Sequence, residues 1–235
     1  MLDSRLAAAM APPKPGRLVR WLGPLSAGLR ATDAQIRGHA AHWATTAEAV
    51  FTHERLLVAF GDSLSQGIGA EDPADGYVAR LAALVGETTG VKPGVLNLSR
   101  SGARVRDVVE RQLPAYAAIA PDLAAPPLVV CTVGSNDLLR GALPNRVARD
   151  LAALAPMLPG GAVLATLPEA GSLSGRVVNR RLRAEAGAAG LELADVGSAL
   201  QRWRGLAAGD RFHPNEAGYT VWFEAFREPI LRRLG

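Results

Sequence analysis

The sequence has one cysteine, Cys131, so it can close no internal disulfide and offers no thiol cluster for a metal. Cys131 also falls within the apolar run 128–133, where a buried structural thiol is expected. No apolar run approaches the roughly 20 residues that a membrane span needs. The opening residues lack the charged start, apolar core and small-residue cleavage site of a signal peptide in that order, and a cytoplasmic protein is expected. Lysine is nearly absent: Lys14 and Lys92 are the only two. The basic balance therefore rests on arginine. With a formal net charge of only +4 and arginines scattered along the chain, it does not mark a nucleic-acid partner. What remains is an ordinary globular composition, 49% hydrophobic and 20% charged, in a chain long enough for one domain plus an appendage.

Residues 1–16 carry Pro12, Pro13 and Pro15, which interrupt a helix, and they are expected to pack little and to be flexible. Residues 17–54 read as a helical appendage. Leu18, Trp21, Leu22, Leu25 and Leu29 keep a helical spacing edged by arginines, with Pro24 as an interruption. Docking onto the main domain is the expectation, and a membrane contact through residues 17–30 is the lesser reading. A second helix, capped at Thr32 or Asp33, would bury Ile36, Ala40, Trp43, Ala47 and Val50 along one stripe. His39 and His42 lie three apart on it without a carboxylate or cysteine at matching spacing. They read as solvent-facing histidines rather than metal ligands.

From residue 55 to 235 strand-like and helix-like patterns alternate. Strands are expected at 55–60, 95–98, 128–133, 162–167 and 191–196. Helices are expected at 77–87, from Val105 to a stop near Pro114 or soon after it, at 144–157 and 175–189, and from near Pro214 to the carboxyl end. This alternation predicts an α/β fold: a three-layer α/β/α sandwich with a five-stranded parallel sheet in the flavodoxin-like order 2-1-3-4-5.

Polar clusters fall at four strand ends or helix starts, which such a sheet would gather at one edge. They are Ser63 after the first strand, Asn97 to Ala103 after the second, Gly134 to Asp137 after the third, and Asp210 to Pro214 before the last helix. A nucleophilic serine needs a base, an orienting group behind that base, and donors for the developing oxyanion. Ser63 is the candidate nucleophile and His213 the base, with Asp210 three residues earlier able to fix its tautomer. Gly102 can bring a backbone N–H close to a substrate, and Asn136 can offer a side-chain amide. Each also has an ordinary reading, Gly102 as a turn residue and Asn136 as a helix cap.

In AFGDSLSQG (59–67), NLSRSGA (97–103), VGSND (133–137) and DRFHPN (210–215) the chain resembles the GDSL or SGNH hydrolases from about residue 55 onward. The resemblance implies ester hydrolysis through an acyl-enzyme without metal or organic cofactor. It implies Ser63 as nucleophile, His213 as base, Asp210 as its orienter, and Ser63, Gly102 and Asn136 as oxyanion donors. The partner would be a small-molecule ester. Transfer of the acyl group to another hydroxyl, cleavage of a thioester or a lysophospholipid, and a non-catalytic binding module are the rival readings. Loops 67–76 and 168–176 are expected to line the acyl pocket. Their small and polar residues suggest a small acyl group or a polar alcohol. Oligomeric state is not legible.

Overall fold

Five apolar stretches form five parallel strands, and their pairing decides where each polar cluster ends up. A computed structural model describes Leu6, Met10, Ala11 and residues 27–189 and 191–235. Strand β1 (Leu56–Gly61) lies between β2 (Gly94–Asn97) and β3 (Leu128–Thr132), and β4 (Val163–Ala165) and β5 (Glu192–Ala194) continue the sheet past β3. The order β2-β1-β3-β4-β5 is the predicted one. Leu57 stands opposite Val95 and Leu128, and Ala59 opposite Asn97 and Val130, so β1 is paired on both edges and buried throughout. A strand buried on both faces reads as a continuous apolar run, which is why LLVAF was legible. β4 is shorter than expected. At Leu167 the chain leaves the ladder, its N–H and C=O taken by the side-chain amide of Asn179 at 2.8 and 2.7 Å.

Helices cover the sheet. α1 (Ala27–Glu48) lies against β2 and the one-turn helix α2 (Ser63–Gln66). α3 (Tyr77–Thr89) packs on the last helix, with Tyr77 and Phe226 stacked at 4.9 Å. α4 (Val105–Asp107) runs through a π-helical segment, Val108–Gln112, into α5 (Leu113–Ile119). The helix stops at Ile119, soon after Pro114. Pro114 occupies the first turn of α5, where its missing N–H costs little. After β3 come α6 (Ser135–Leu139) and α7 (Pro144–Leu154), after β4 comes α8 (Leu173–Ala189), packed on α7, and after β5 come α9 (Val196–Ala199) and α10 (Glu216–Arg232).

The amino-terminal part departs from the sequence reading in several places. The predicted helix at 18–29 falls largely on residues outside those described. α1 begins by Ala27, so Thr32 and Asp33 are interior positions and not its cap. Ala40, Trp43, Ala47 and Val50 are buried as the stripe predicted, while Ile36 is only partly buried. His39, expected in solvent, is buried on the same side, 3% exposed, while His42 is exposed. Leu6 and Met10 belong to the main core and Arg100 Nε donates to Ala11 O at 2.9 Å, so the described residues of 1–16 pack more closely than the prolines suggested. Among the described residues no helix is long and apolar enough to cross a membrane.

Candidate active site

The site begins where β1 ends. Gly61 has φ of 127°, and a Cβ there would lie 2.0 Å from Thr132 O, so only glycine lets the chain pass β3 this closely. Gln112 clips both polar groups of Gly61, accepting from its N–H and donating to its C=O at 2.8 Å each. Asp62 then caps α2 by accepting the N–H of Leu64 at 3.0 Å. Ser63 follows as the first residue of α2, its hydroxyl fixed by a strand end, a cap and a helix start.

Ser63 Oγ lies 2.9 Å from His213 Nε2, although 150 residues separate them. His213 Nδ1 lies 2.6 Å from Asp210 Oδ2. Asp210 Oδ1 accepts the backbone N–H groups of Phe212 and His213, both at 2.9 Å, so the carboxylate holds the loop as well as the ring. Arg211 between them takes φ of 59°, the one non-glycine residue described in the left-handed region. Burial works against the Asp210 charge, but the His213 ring and the two backbone donors outweigh it and hold its pKa far below the usual carboxylate range. Pro214, expected to open the last helix, precedes it. α10 starts at Glu216, capped by Asn215 Oδ1 accepting from Gly218 N–H at 2.9 Å.

Asn136 lies inside α6, whose cap is Gly134, so the capping reading fails. Its amide donates to Asp62 Oδ2 at 3.2 Å and to Ala103 O at 3.0 Å. Both amide hydrogens are thus engaged before any substrate arrives. Gly102, with φ of 76°, is on the adjoining loop, and a Cβ there would meet only the Arg140 guanidinium, at 4.0 Å. Among the described residues no acceptor meets the N–H of Ser63 or of Gly102. Asp62 is fully buried, and burial, helped by the nearby Asp137 and opposed by the Leu64 and Asn136 donors, pushes its pKa up to about 7.

A pocket of about 200 Å³ opens beside Ser63 and Asn136, walled by Leu138, Leu139, Leu167, Trp203 and Phe212. Pro168, Ala170 and Ser172 line it, so loop 168–176 contributes as expected. Loop 67–76 does not. It is held instead between α1 and α10, with Gly69 N–H donating to Gln35 Oε1 at 3.1 Å and Glu71 N–H to Glu216 Oε1 at 2.8 Å. The wall is mostly apolar, with Ser135, Ser172 and Arg211 among its polar members. Among the described residues no group of His, Cys, Asp and Glu could hold a metal ion. Cys131 is buried, and desolvation pushes its thiol pKa up.

Three polar residues that matter here were missed from sequence. Gln66 Oε1 accepts from Ser101 N–H at 3.1 Å and Ser101 Oγ at 2.6 Å, and its Nε2 donates to Ser99 O at 3.1 Å, tying α2 to the Gly102 loop. Thr32 Oγ1 donates to Asp210 Oδ2 at 2.9 Å. Gln35 grips Gly69 and Ala70. The available signal was a polar row, Thr32, Gln35 and His39, continuing the apolar stripe of α1 at helical spacing.

A parallel α/β sheet that brings Ser63, His213 and Asp210 into one hydrogen-bonded chain at its carboxyl edge has the makings of a serine hydrolase centre. The sequence matches the model of the GDSL-like lipase/acylhydrolase family over residues 59–221, and the chain belongs to that family. No curated protein matches the sequence. Among solved structures, TesA is 26% identical, with 75% of this chain and 98% of that chain covered and a TM-score of 0.61. A lipolytic G-D-S-L family member from Veillonella parvula DSM 2008 is 21% identical, covering 76% and 99%, with a TM-score of 0.64. Axe2, an acetylxylan esterase from Geobacillus stearothermophilus, is 22% identical, covering 75% and 94%, with a TM-score of 0.57. The latter two likenesses concern the fold.

Proposed function

We propose that the protein hydrolyses carboxylic esters through an acyl-enzyme on Ser63, and that the acid part of its substrate is an apolar chain of short to medium length. The observation that carries the reading is the unbroken path from Ser63 Oγ to His213 Nε2, 2.9 Å, and from His213 Nδ1 to Asp210 Oδ2, 2.6 Å. With the ring proton on Nδ1 held by Asp210, Nε2 is free to accept the serine proton. Ser63 Oγ attacks the ester carbonyl as its proton passes to Nε2. The tetrahedral oxyanion is met by the N–H groups of Ser63 and Gly102 and by the Asn136 amide, which exchanges its bond to Asp62 for one to the oxyanion. Collapse breaks the bond to the alcohol, which leaves with the proton from Nε2. Water then attacks the acyl-enzyme by the same route, releasing the acid and restoring Ser63. The apolar walls of Leu138, Leu139, Leu167, Trp203 and Phe212 favour a hydrocarbon acyl group, and the small volume disfavours a long one.

The test is hydrolysis of p-nitrophenyl acetate, hexanoate and dodecanoate by the full chain. Activity should be present, fall for dodecanoate, and vanish in Ser63→Ala with the fold retained. A fluorophosphonate probe should label Ser63 alone. Labelling at another residue, or a folded Ser63→Ala with full turnover, would remove Ser63 as nucleophile.

A further inference from the structure

α1 lies wholly outside residues 59–221, the part matched by the family model, yet one of its faces is bonded to the candidate catalytic centre. Thr32, Gln35, His39 and Trp43 follow one another at steps of three or four residues, so they share that face. Thr32 Oγ1 donates to Asp210 Oδ2 at 2.9 Å. Gln35 accepts from Gly69 N–H at 3.1 Å and donates to Ala70 O at 3.2 Å. Gly69 in turn lies against the triad loop: a Cβ on it would be 2.2 Å from Pro214 O and 2.8 Å from His213 Cβ. His39 Nδ1 and Trp43 Nε1 both approach Gln66 O at 3.1 Å, and the Gln66 side chain holds Ser99 and Ser101 beside Gly102. One helix therefore reaches the acid of the triad directly and the oxyanion loop through a single intermediary.

We infer that α1 is a brace for the catalytic centre and that Thr32 is a positioning residue for Asp210. The inference rests on the triad reading given above. Asp210 Oδ2 takes two donors, the His213 ring and the Thr32 hydroxyl, while Oδ1 takes two backbone donors. Four donors on two oxygens leave the carboxylate no rotation, which is the condition for holding the imidazole in line with Ser63. The Thr32 hydroxyl also draws charge from the oxygen that faces Nδ1.

The experiment compares Thr32→Val, which keeps the branched shape and removes the donor, with Thr32→Ser, which keeps the donor. Both are made in the full chain and assayed on p-nitrophenyl hexanoate. Thr32→Val should lower kcat by about tenfold, the rate equivalent of losing a hydrogen bond to a charged group, with KM changed less than about twofold. Thr32→Ser should restore kcat. Thr32→Ala serves as a second donor-free variant should valine disturb packing, and it must lose rate as valine does. Wild-type kcat in Thr32→Val would overturn the inference, as would a Thr32→Ser as impaired as Thr32→Val, since packing would then be the cause. Fluorophosphonate labelling of Ser63 separates the two levels. If Ser63 is labelled and Thr32→Val is silent, the brace fails alone, and if the probe reacts elsewhere the triad reading fails and takes the brace with it.

Discussion

The amide of Asn136 donates to the carboxylate of Asp62 at 3.2 Å, joining the loop after β3 to the cap of the helix that begins with Ser63. The same nitrogen donates to Ala103 O at 3.0 Å, so both amide hydrogens are engaged in the resting structure. In the proposed mechanism the bond to Asp62 is exchanged for one to the oxyanion, while the bond to Ala103 keeps the amide in place. Asn136→Ala should lower kcat by about two to three orders of magnitude with a smaller effect on KM. Steady-state kinetics on a p-nitrophenyl ester decides the matter. A variant that melts earlier but turns over at the wild-type rate would leave Asn136 with a structural part only.

Asp62 itself should be visible in the pH dependence of stability. Its carboxyl is buried and its pKa is pushed up to about 7, from an unfolded value of about 3.9. Between those two pH values the folded state keeps a proton that the unfolded state has lost, so this group's contribution to stability falls as pH rises. Asp62→Asn has no such titration. Its melting temperature relative to wild type should therefore become more favourable on going from pH 4 to pH 8, an effect of a few kcal/mol at most. A difference that stays constant across that range would show that Asp62 does not titrate there.

Asp210 and His213 should behave as one unit. His213→Ala should remove nearly all triad-dependent rate. Asp210→Asn should cost up to about four orders of magnitude by favouring the wrong tautomer, and the double variant should be about as slow as His213→Ala alone. The stability linkage of Asp210 has the opposite sign to that of Asp62. Its depressed pKa supplies stability above the unfolded carboxylate range, and this is lost as pH falls. Acid unfolding of Asp210→Asn should accordingly show a shallower pH dependence below about pH 4. Additive losses in the double variant would argue that the two residues act separately.

The legible parts of the molecule were those where one residue type has one dominant use. Leu56 to Phe60 is an unbroken apolar run because β1 is paired on both edges, and the turn at Gly61 is forced by the approach to Thr132. That Ser63, Asp210 and His213 would meet was legible because a strand end and a helix start are recognisable places. Polar side chains that bond to backbone were not legible. Gln66, Gln112 and His39 look like surface residues until the segments they hold are brought beside them, and the pairing of Thr32 with Asp210 spans 178 positions. The pocket was misread for a related reason. Its walls come from Leu138, Leu139, Trp203 and Phe212, contributed by three separate segments, whereas the composition of loop 67–76 concerned a segment that turned out to pack elsewhere.

The amino-terminal residues offer a stringent test because sequence and structure disagree about them. From composition, removal of residues 1–16 should be harmless. In the fold Leu6 is 1% exposed and Met10 4%, and both belong to the main hydrophobic core. Burial of two such side chains is worth about 1.5 to 3 kcal/mol each, so deleting 1–16 should lower stability by several kcal/mol and shift the urea midpoint downward. Activity at low temperature should survive, because none of the bonds from α1 to Asp210, Gly69 or Gln66 is lost. Deletion to residue 53 is a different case. It removes Trp43, Ala47 and Val50 from the core together with Thr32, Gln35 and His39. Either it unfolds, or the folded remainder retains a small fraction of kcat. If the shorter deletion leaves the urea midpoint unchanged, the packing of Leu6 and Met10 contributes nothing. If the longer one remains folded with wild-type kcat, α1 is a passenger on a self-sufficient hydrolase domain.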